Sequence, residues 1–378
     1  MTRRLYPARL AGTVTVPDSK SFWHRELICR FLSGQPLPET LRGDDGKATL
    51  AGLRVMAEGS GCIDCGSSGA TLRFLLPLAM AQGRTGLRFT GTPRLLQRPL
   101  SAPYPVTREA DGYRVTTPLT AGRYALRGDE TSQTVSGLLL ALPLLHASSE
   151  LVLTTPLVSR GYVDLTLDVL RRHGVTAQET ERGWRIPAPQ TFLRAEIPAE
   201  GDWSAGSWWL TVNALQGGGI TVAGLPEKSC QADRAITDHL RCLPETVDIS
   251  QTPDLLPVLA LLAALTHQAT RFTGGAFLRK KESDRLHAVA SLLSALGAET
   301  VEQPDGLTVS GGKPLEGGVT VDPFRDHRIA MLCACAALFC RRPVLLRDSE
   351  CVTKSYEDFW RDYALLGGKA EEAEENGG

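Results

Sequence analysis

"GSSGATLRFLLPLAMA" (Gly66–Ala81) shows the pattern that decides the fold, because small and polar residues come first and a mostly apolar run follows. The same plan recurs five more times along the chain, in "DSKSFWHRELICRFL" (18–32), "GDETSQTVSGLLLALPLL" (128–145), "EGDWSAGSWWLTVNAL" (200–215), "QTPDLLPVLALLAAL" (251–265) and "FRDHRIAMLCACAALF" (324–339). Several of these runs are apolar on all sides, which is typical of helices in a protein interior. We therefore predict six inner helices.

A second, amphipathic helix is predicted after five of these six segments. The five are "GKATLAGLRVMAEG", "YVDLTLDVLRRHGV", "DRAITDHLRCL", "ESDRLHAVASLLSALGAE" and "SYEDFWRDYALLGG". Short β-like runs lie between the helices, namely "LRFTG", "YRVTT", "ELVLTT", "GITVAG", "ATRFTG", "LTVSGG" and "VTVDP". The pattern predicts a strand–helix–strand–helix–strand–strand unit repeated six times, with three units in each of two domains.

The second unit is the exception to this plan. After "LLQRP" the chain carries Pro99, Pro103 and Pro105 and shows no helical period. Because proline breaks helix interiors, we predict that this unit lacks its outer helix.

Composition sets further limits. A chain of 378 residues suggests two or three domains at ~100–200 residues each. The formal charge of −1 gives no general attraction to nucleic acid or membranes, so an anion site needs local clusters of Lys and Arg.

No apolar run approaches the ~20 residues that span a bilayer, no signal core opens the chain, and a cytoplasmic location is expected. The acidic, glycine-rich segment 369–378 is typical of a disordered tail.

The nine cysteines are scattered, which favours free thiols over a disulfide framework. Cys62 and Cys65 in "CIDC" have metal-like spacing, but no second pair accompanies them. A structural zinc site normally needs four ligands, so two thiols at a strand end are the favoured interpretation.

Hydroxyl side chains recur where the inner helices begin: Ser19, Ser21, Ser67, Ser68, Thr131, Ser132 and Ser204. Each one alone is best explained as a helix cap. As a group, with Lys and Arg beside them, they favour a second interpretation. Parallel helices would direct their partially positive N-termini at one anionic ligand.

Two charged segments stand out. In "KKESDRL", Lys281 and Arg285 are predicted to share a helix face, either as a solvated helix start or as a binding site. In "FRDHRIAM", Arg325 and Arg328 oppose the helix dipole, which is unfavourable unless an anion is bound there. Asp254 opens another apolar helix, either as an ordinary first-turn acid or as a base.

Several other chemistries lack their motifs. The chain has no GxxxxGK[ST] loop, no GxGxxG after a strand, no Gly-x-Ser-x-Gly elbow and no HExxH. Basic residues are not interleaved with aromatic residues in a nucleic-acid pattern.

The sequence resembles the 3-phosphoshikimate 1-carboxyvinyltransferases, also called EPSP synthases, in order from Val16 to about Leu366. The segments that carry the resemblance are "PDSKSFWHR", "GSSGATLRFLLPLA", "GDETSQ", "LVSRGYVDLTL", "EGDWSAGS", "TPDLLPVLA", "KKESDRL", "RDHRIAM" and "CVTKSYEDFW". The sister family that uses UDP-N-acetylglucosamine has Asn after the lysine, whereas Ser21 follows Lys20 here.

This resemblance implies an α/β fold of the α+β kind. It would be a two-domain inside-out α/β barrel of six βαβαββ repeats, with residues 1–18 and 201–378 in one domain and 19–200 in the other. It also implies transfer of the enolpyruvyl group of phosphoenolpyruvate to the 5-hydroxyl of shikimate 3-phosphate, with release of phosphate through a tetrahedral intermediate. Neither a metal nor a cofactor is expected. The expected partners are these two small molecules alone, bound by a monomer, and glyphosate competes with phosphoenolpyruvate in the family.

The resemblance also assigns residues. Asp254 is the expected base, Glu282 the expected acid, and Lys20 contacts both substrates. The shikimate 3-phosphate set is Lys20, Ser21, Arg25, Thr131, Ser132, Gln133, Ser159, Asp254 and Lys281, with Tyr162 beside the ring. The phosphoenolpyruvate set is Lys20, Gly69, Arg98, Gln133, Arg285, Arg328 and Lys354, with His327 nearby.

Some positions depart from the family pattern. Ser67 and Ala70 replace Asn and Thr beside Gly69, Phe277 replaces an Asn of some members, and Thr131 replaces a common Ser. Two alternatives to the enzyme therefore stay open. One is a non-catalytic paralogue that binds an anionic metabolite, and the other is an enolpyruvyl transferase with another acceptor.

Overall fold

The computed structural model describes residues 1–266 and 268–373 and divides into two compact units. Unit 1 contains Met1–Pro17 and the chain from Glu200 onward, and unit 2 contains Asp18–Ala199. These boundaries lie one residue from those expected from the sequence.

The predicted helices form. The inner helices are α1 (Lys20–Leu32), α3 (Gly69–Ala81), α5 (Ser132–Ala141), α7 (Trp203–Leu215), α9 (Leu256–Leu265) and α11 (His327–Ala337). The outer helices are α2 (Asp44–Glu58), α6 (Arg160–Arg172), α8 (Ile236–Arg241), α10 (Arg285–Ala295) and α12 (Phe359–Leu365). All six inner and five outer helix predictions are thereby confirmed.

The strands are short and fall on all seven predicted β-like runs. Unit 2 contains β3 (Cys62–Asp64), β4 (Arg88–Thr90), β5 (Thr107–Glu109), β6 (Gly112–Arg114), β7 (Arg123–Leu126), β8 (Ser149–Leu153), β9 (Gln178–Thr180) and β10 (Gly183–Ile186). Unit 1 contains β1 (Arg3–Leu5), β2 (Gly12–Thr15), β11 (Ile220–Ala223), β12 (Thr246–Asp248), β13 (Thr270–Thr273), β14 (Glu299–Gln303), β15 (Gly306–Ser310), β16 (Leu315–Gly317), β17 (Thr320–Val321), β18 (Cys340–Arg342), β19 (Val344–Leu346) and β20 (Ala370–Glu372).

Of the four four-stranded sheets, three share one strand order, and the fourth shows it when β1 is counted after β20. They are β3-β4-β6-β5 and β7-β8-β10-β9 in unit 2, and β12-β13-β15-β14 and β17-β19-β1-β20 in unit 1. In each sheet the first two strands are parallel and flank an inner helix, and the last two form antiparallel pairs. The inner helix serves as the crossover that a parallel pair requires.

The other two segments carry fewer strands. The fully described stretch from Asp18 to Gly61 contains α1 and α2 but no β-strand. Around α7, β2 pairs only with β11, in parallel. The described residues therefore contain the six predicted inner helices, whereas four of their sheets have four strands.

The outer helix of the second segment is reduced to α4 (Pro93–Gln97), only five residues long. Thr92 caps α4 by accepting a hydrogen bond from the Leu95 amide, and Pro93 suits its first turn. The prolines that follow prevent its extension.

The expected disorder of segment 369–378 is wrong for its first part. Residues Ala370–Glu372 form β20, which pairs with β1 along its whole length. Backbone pairing therefore orders this segment despite its acidic composition. Residues 374–378 lie outside the described part.

Close helix packing in unit 2 depends on one glycine. A Cβ at Gly137 of α5 would lie 2.0 Å from the carbonyl oxygen of Arg73 on α3. Only glycine allows this approach, which brings the first turns of the two helices together. Gln133 on α5 and Gly69 on α3, each four residues earlier, are neighbours for this reason.

Candidate active site

Arg285 is the centre of a buried ion-pair cluster in unit 1, and its side chain is 1% exposed. Its guanidinium donates to Asp254 Oδ1 at 2.8 Å, Glu282 Oε2 at 3.0 Å and Asp326 Oδ2 at 3.1 Å. Burial alone would lower the pKa of Arg285, but the carboxylates of Asp326, Glu282 and Asp254 outweigh it and raise that pKa. One charged guanidinium thus holds both predicted acid–base residues.

Arg328 joins Asp254 to Ser204. Its Nη2 donates to Asp254 Oδ2 at 2.7 Å, and its Nη1 donates to Ser204 Oγ. Asp326 caps α11 and accepts from the Arg328 amide at 3.0 Å. The sequence predicted an anion at the start of α11, and the carboxylates of Asp254 and Asp326 supply it in this structure.

Glu282 is held by a second cation, Lys354, at 3.2 Å between Nζ and Oε1. Lys354 is buried and ends the 3-10 helix Ser349–Lys354. The next helix, α12, begins at Phe359 rather than near Ser355 as the sequence suggested.

The predicted helix face shared by Lys281 and Arg285 is wrong. Asp284 caps α10 by accepting from the His287 amide, so the helix begins at Arg285. Lys281 lies in extended backbone after a 3-10 helix, with its Nζ 5.4 Å from the centroid of the Phe277 ring. An aromatic face therefore lies against this cation.

Asp233 is a buried acid of unit 1 that the sequence did not single out. It lies in the 3-10 helix Ala232–Ala235 and is 4% exposed. Burial raises the pKa of Asp233 to about 7, the Asp254 carboxylate adds to the rise, and Arg328 opposes it. In the sequence Asp233 looks like an ordinary first-turn acid.

In unit 2, Lys20 is the first residue of α1, and Ser19 caps the helix. The Lys20 ammonium pairs with Asp45 Oδ2 at 3.2 Å. Asp45 belongs to the first turn of α2, where an acid is expected anyway, so its pairing with Lys20 could not be predicted.

Arg25 is buried and bonds only to uncharged oxygens among the described residues. It donates to Thr166 Oγ1 at 2.7 Å and to the carbonyl oxygens of Ser21 at 2.5 Å and Tyr162 at 2.7 Å. Burial lowers the pKa of Arg25 to about 10. A buried cation without a carboxylate is suited to bind an anion.

Gly69, Gln133 and Arg98 lie together with Arg73, which the sequence analysis did not assign. Arg73 Nη1 donates to Gln133 Oε1 at 3.1 Å and to the Gly69 carbonyl oxygen at 3.3 Å. A Cβ at Gly69 would lie 3.1 Å from Arg98 Nη2. Gly69 and Arg73 are one turn apart on a predicted helix, and this spacing could have indicated that Arg73 belongs to the group around Gly69.

The remaining predicted residues lie at helix starts. Thr131 caps α5 by accepting from the Gln133 amide at 3.2 Å, and Ser132 is the first residue of that helix. Ser159 precedes α6 with a left-handed φ of 56°. The capping interpretation is confirmed for Ser19 and Thr131, and for Ser68, which caps α3.

Gly69→Ala is expected to raise the KM for a ligand bound at Arg73 and Gln133 by roughly tenfold to a hundredfold. Small displacements of the side chains that hold a ligand can cost this much. The new Cβ would lie 2.7 Å from Arg73 Nη1 and 2.9 Å from Gln133 Oε1, so these side-chain ends must move. Because they are flexible ends, the melting temperature should change little.

Steady-state kinetics and thermal unfolding check this result. Gly122→Ala is the matched control, since a Cβ there meets nothing within 4 Å. An unchanged KM in Gly69→Ala would contradict the crowding argument.

All nine cysteines are free thiols; Cys62 is exposed and Cys65 is buried. In the part of the chain that the structure describes, no group of three His, Cys, Asp or Glu side chains is placed to hold a metal ion. Within that same part, no helix combines the length and apolarity needed to cross a membrane.

Comparisons with known proteins point to one family over most of the chain. The family profile for EPSP synthase (3-phosphoshikimate 1-carboxyvinyltransferase) matches residues 6–243 and 236–363. The 3-phosphoshikimate 1-carboxyvinyltransferase of Clostridium kluyveri is 38% identical, with 97% of each chain covered. That of Clostridium novyi is 34% identical, with 98% of each covered.

Solved structures show the same fold. The EPSP synthase of Acinetobacter baumannii matches with a TM-score of 0.76 at 21% identity, over 98% of this chain and 100% of that one. The enolpyruvyl transferase NikO of Streptomyces tendae matches with a TM-score of 0.74 at 18% identity, over 98% of each chain. On the family profile and the two clostridial relatives together, the chain belongs to the EPSP synthase (3-phosphoshikimate 1-carboxyvinyltransferase) family.

Proposed function

We propose that the Arg285 cluster carries out the acid–base chemistry of this family's reaction. That reaction transfers the enolpyruvyl group of phosphoenolpyruvate to the 5-hydroxyl of shikimate 3-phosphate and releases phosphate. The observation that carries the proposal is that Arg285 binds both Asp254 and Glu282, at 2.8 and 3.0 Å. Two carboxylates with different partners can divide base and acid roles.

Asp254 is the proposed base and Glu282 the proposed acid. In the addition step, the oxygen of the 5-hydroxyl bonds to the central carbon of phosphoenolpyruvate, and Asp254 takes the proton of that hydroxyl. Glu282 delivers a proton to the methylene carbon, which gives a tetrahedral intermediate with a methyl group. Elimination returns a methyl proton to Glu282, breaks the carbon–oxygen bond to phosphate and regenerates a methylene group, and the departing phosphate takes the proton that Asp254 held.

Arg285, Arg328 and Lys354 are proposed to bind phosphoenolpyruvate, with Gly69, Arg98 and Gln133 of unit 2. In this structure the three cations pair with Asp254 and Glu282. The carboxylate and phosphate of phosphoenolpyruvate would compete with Asp254 and Glu282 for the same donors. Arg can bind a carboxylate or a phosphate through two parallel hydrogen bonds. Substrate binding would thereby release the two carboxylates for proton transfer.

Shikimate 3-phosphate is assigned to residues near the starts of helices in unit 2, and to Lys281. Arg25 is the strongest candidate among them, because it is buried and its hydrogen bonds go to neutral oxygens. The full proposed set is Lys20, Ser21, Arg25, Thr131, Ser132, Gln133, Ser159, Asp254 and Lys281, with Lys20 shared between the substrates.

The finer architecture and setting are also proposals. We infer three βαβαββ repeats in each unit, as in an inside-out α/β barrel, and the common order of four sheets supports this. The domain limits 1–18 with 201–378, and 19–200, follow from the same repeat count. We further propose a cytoplasmic monomer that acts on its two small-molecule substrates without nucleic acid, membrane, metal or cofactor.

Phosphate release tests the function directly. Purified protein with shikimate 3-phosphate and phosphoenolpyruvate should release phosphate only when both substrates are present. Calorimetry that showed shikimate 3-phosphate binding without phosphate release would instead indicate a non-catalytic paralogue. Release with UDP-N-acetylglucosamine, and not with shikimate 3-phosphate, would indicate another acceptor.

A further inference from the structure

Two buried hydroxyl groups of unit 2 join Arg25 of α1 to α6 and α5. Arg25 Nε donates to Thr166 Oγ1 at 2.7 Å, and Arg25 Nη2 lies 3.5 Å from Ser136 Oγ. Thr166 Oγ1 in turn donates to Ser136 Oγ at 2.9 Å. Arg25, Thr166 and Ser136 are each at most 3% exposed. The sequence assigned no role to either hydroxyl.

The N–H groups of the Arg25 side chain, five in a guanidinium, can be accounted for one by one. Nε donates to Thr166, and Nη1 donates to the Ser21 carbonyl oxygen at 2.5 Å. Nη2 donates to the Tyr162 carbonyl oxygen at 2.7 Å and has its second N–H for Ser136. The second N–H of Nη1 has no acceptor in the described part of the chain. Arg25 therefore has one N–H group left for an anionic ligand.

We propose that Thr166 is a positioning residue for shikimate 3-phosphate, because its hydroxyl holds the Arg25 guanidinium so that this one N–H group is presented to the ligand. The proposal rests on the role of Arg25 proposed above. It concerns how Arg25 is aimed, and it gives Thr166 no contact with either substrate.

The position of Thr166 in the fold supports this role. Thr166, Arg25 and Ser136 meet where α1 and α5 both pack against α6. Each of the three lies one helical turn beyond a residue expected to contact shikimate 3-phosphate, namely Tyr162, Ser21 and Ser132. The hydroxyl of Thr166 therefore fixes the three helix starts relative to one another, as well as the guanidinium.

The direction of the hydrogen bonds makes this arrangement depend on a single hydroxyl. A guanidinium only donates, so Thr166 Oγ1 must accept from Arg25 and direct its own proton elsewhere. That proton has two acceptors at 2.9 Å, Ser136 Oγ and the Tyr162 carbonyl oxygen. A methyl group in place of the hydroxyl could neither accept nor donate, and the buried Nε of Arg25 would lose its partner.

Thr166→Val tests the proposal, since valine has nearly the shape of threonine but no hydroxyl. Calorimetry with the purified chain and shikimate 3-phosphate, without phosphoenolpyruvate, should show binding that is weaker by roughly tenfold for one lost buried hydrogen bond. The KM for phosphoenolpyruvate at saturating shikimate 3-phosphate should not change. Thr166→Ser keeps the hydroxyl and should recover the affinity of the wild type.

Thr211→Val is the matched control. Thr211 is fully buried on the inner helix α7 of unit 1, and its hydroxyl has no hydrogen-bond partner among the described residues. The same exchange at Thr211 should leave the affinity for shikimate 3-phosphate unchanged. Wild-type affinity in Thr166→Val, or a loss in Thr166→Ser as large as in Thr166→Val, would overturn the proposal.

A double-mutant cycle separates positioning from a general loss of packing. Arg25→Met removes the guanidinium, and in that background Thr166→Val should weaken the binding of shikimate 3-phosphate no further. If Thr166 were merely structural, its replacement would weaken binding by the same factor with or without Arg25. Additive losses in the double variant would therefore also overturn the proposal.

These outcomes are distinct from a failure of the proposed function. If the wild type does not bind shikimate 3-phosphate, the proposed function fails, and the role of Thr166 fails with it. If Arg25→Met binds shikimate 3-phosphate as tightly as the wild type, the role of Arg25 is wrong. If Arg25→Met impairs binding while Thr166→Val matches the wild type, only the positioning proposal fails.

Discussion

Asp254→Asn is expected to lower kcat for phosphate release by roughly 10²- to 10⁴-fold, the range typical of a lost general base. Asparagine keeps one oxygen that can accept from Arg285 or Arg328, and only the hydrogen bond to the other guanidinium is lost, so most of the cluster's contacts should remain. It cannot take the proton of the 5-hydroxyl, and the addition step therefore loses its base. Single-turnover measurements of phosphate release would report this step directly.

The control for Asp254→Asn is Asp305→Asn, an exposed acid in the β14–β15 turn of the same unit. It should match the wild type in kcat and in thermal unfolding. A kcat within threefold of wild type in Asp254→Asn would remove Asp254 from the role of base. A large loss of thermal stability without a kinetic loss would make it a structural partner of the two arginines.

Glu282→Gln should also lower kcat by roughly 10²- to 10⁴-fold, but with a different signature in KM. Removing this carboxylate frees Lys354 and Arg285 from a competing anion. Phosphoenolpyruvate should therefore bind as well as in the wild type or better, and KM should not rise. In heavy water, the wild type should incorporate deuterium into the methylene group, whereas Glu282→Gln should not.

Glu299→Gln is a suitable control, because Glu299 pairs with Lys313 at the surface and both side chains are 59% exposed. Exposed pairs of this kind contribute little to stability. Deuterium incorporation at the wild-type rate in Glu282→Gln would mean that another group protonates the methylene carbon.

The helices could be predicted because their signals are local. The change from polar to apolar residues fixed where α3, α5 and α11 begin, and Ser68, Thr131 and Asp326 cap them as their residue types favour. A strand needs a partner far away in the chain, so β20 looked like a disordered tail until its pairing with β1 was known.

The candidate site could be predicted only in part, because the sequence shows charges but not their partners. The i,i+3 spacing of Glu282 and Arg285 favours their ion pair, which the structure confirms, whereas no spacing rule indicates that the same guanidinium also binds Asp254. Asp326 and Asp233 were missed for the same reason, since each looks like an ordinary acid at a helix start. Folding brings these residues together from distant segments.

The error at Lys281 has a local cause. Its spacing from Arg285 fits a helix face, but Asp284 is a strong cap, so the helix begins at Arg285 and Lys281 lies before it. Arg73 was missed because it sits within an apolar run, and its contact with Gln133 depends on the close packing of α3 and α5.

The position of β1 between β19 and β20 has a consequence for biosynthesis. Arg3 pairs with Leu346 on one side and with Glu372 on the other. At ~5–20 residues per second, the ribosome needs on the order of tens of seconds to reach those partners after it has made β1. Unit 2 is continuous from Asp18 to Ala199, so its sequence is complete much earlier. A nascent chain would thus carry β1 unpaired until β19 and β20 have been made, although unit 2 could already have folded.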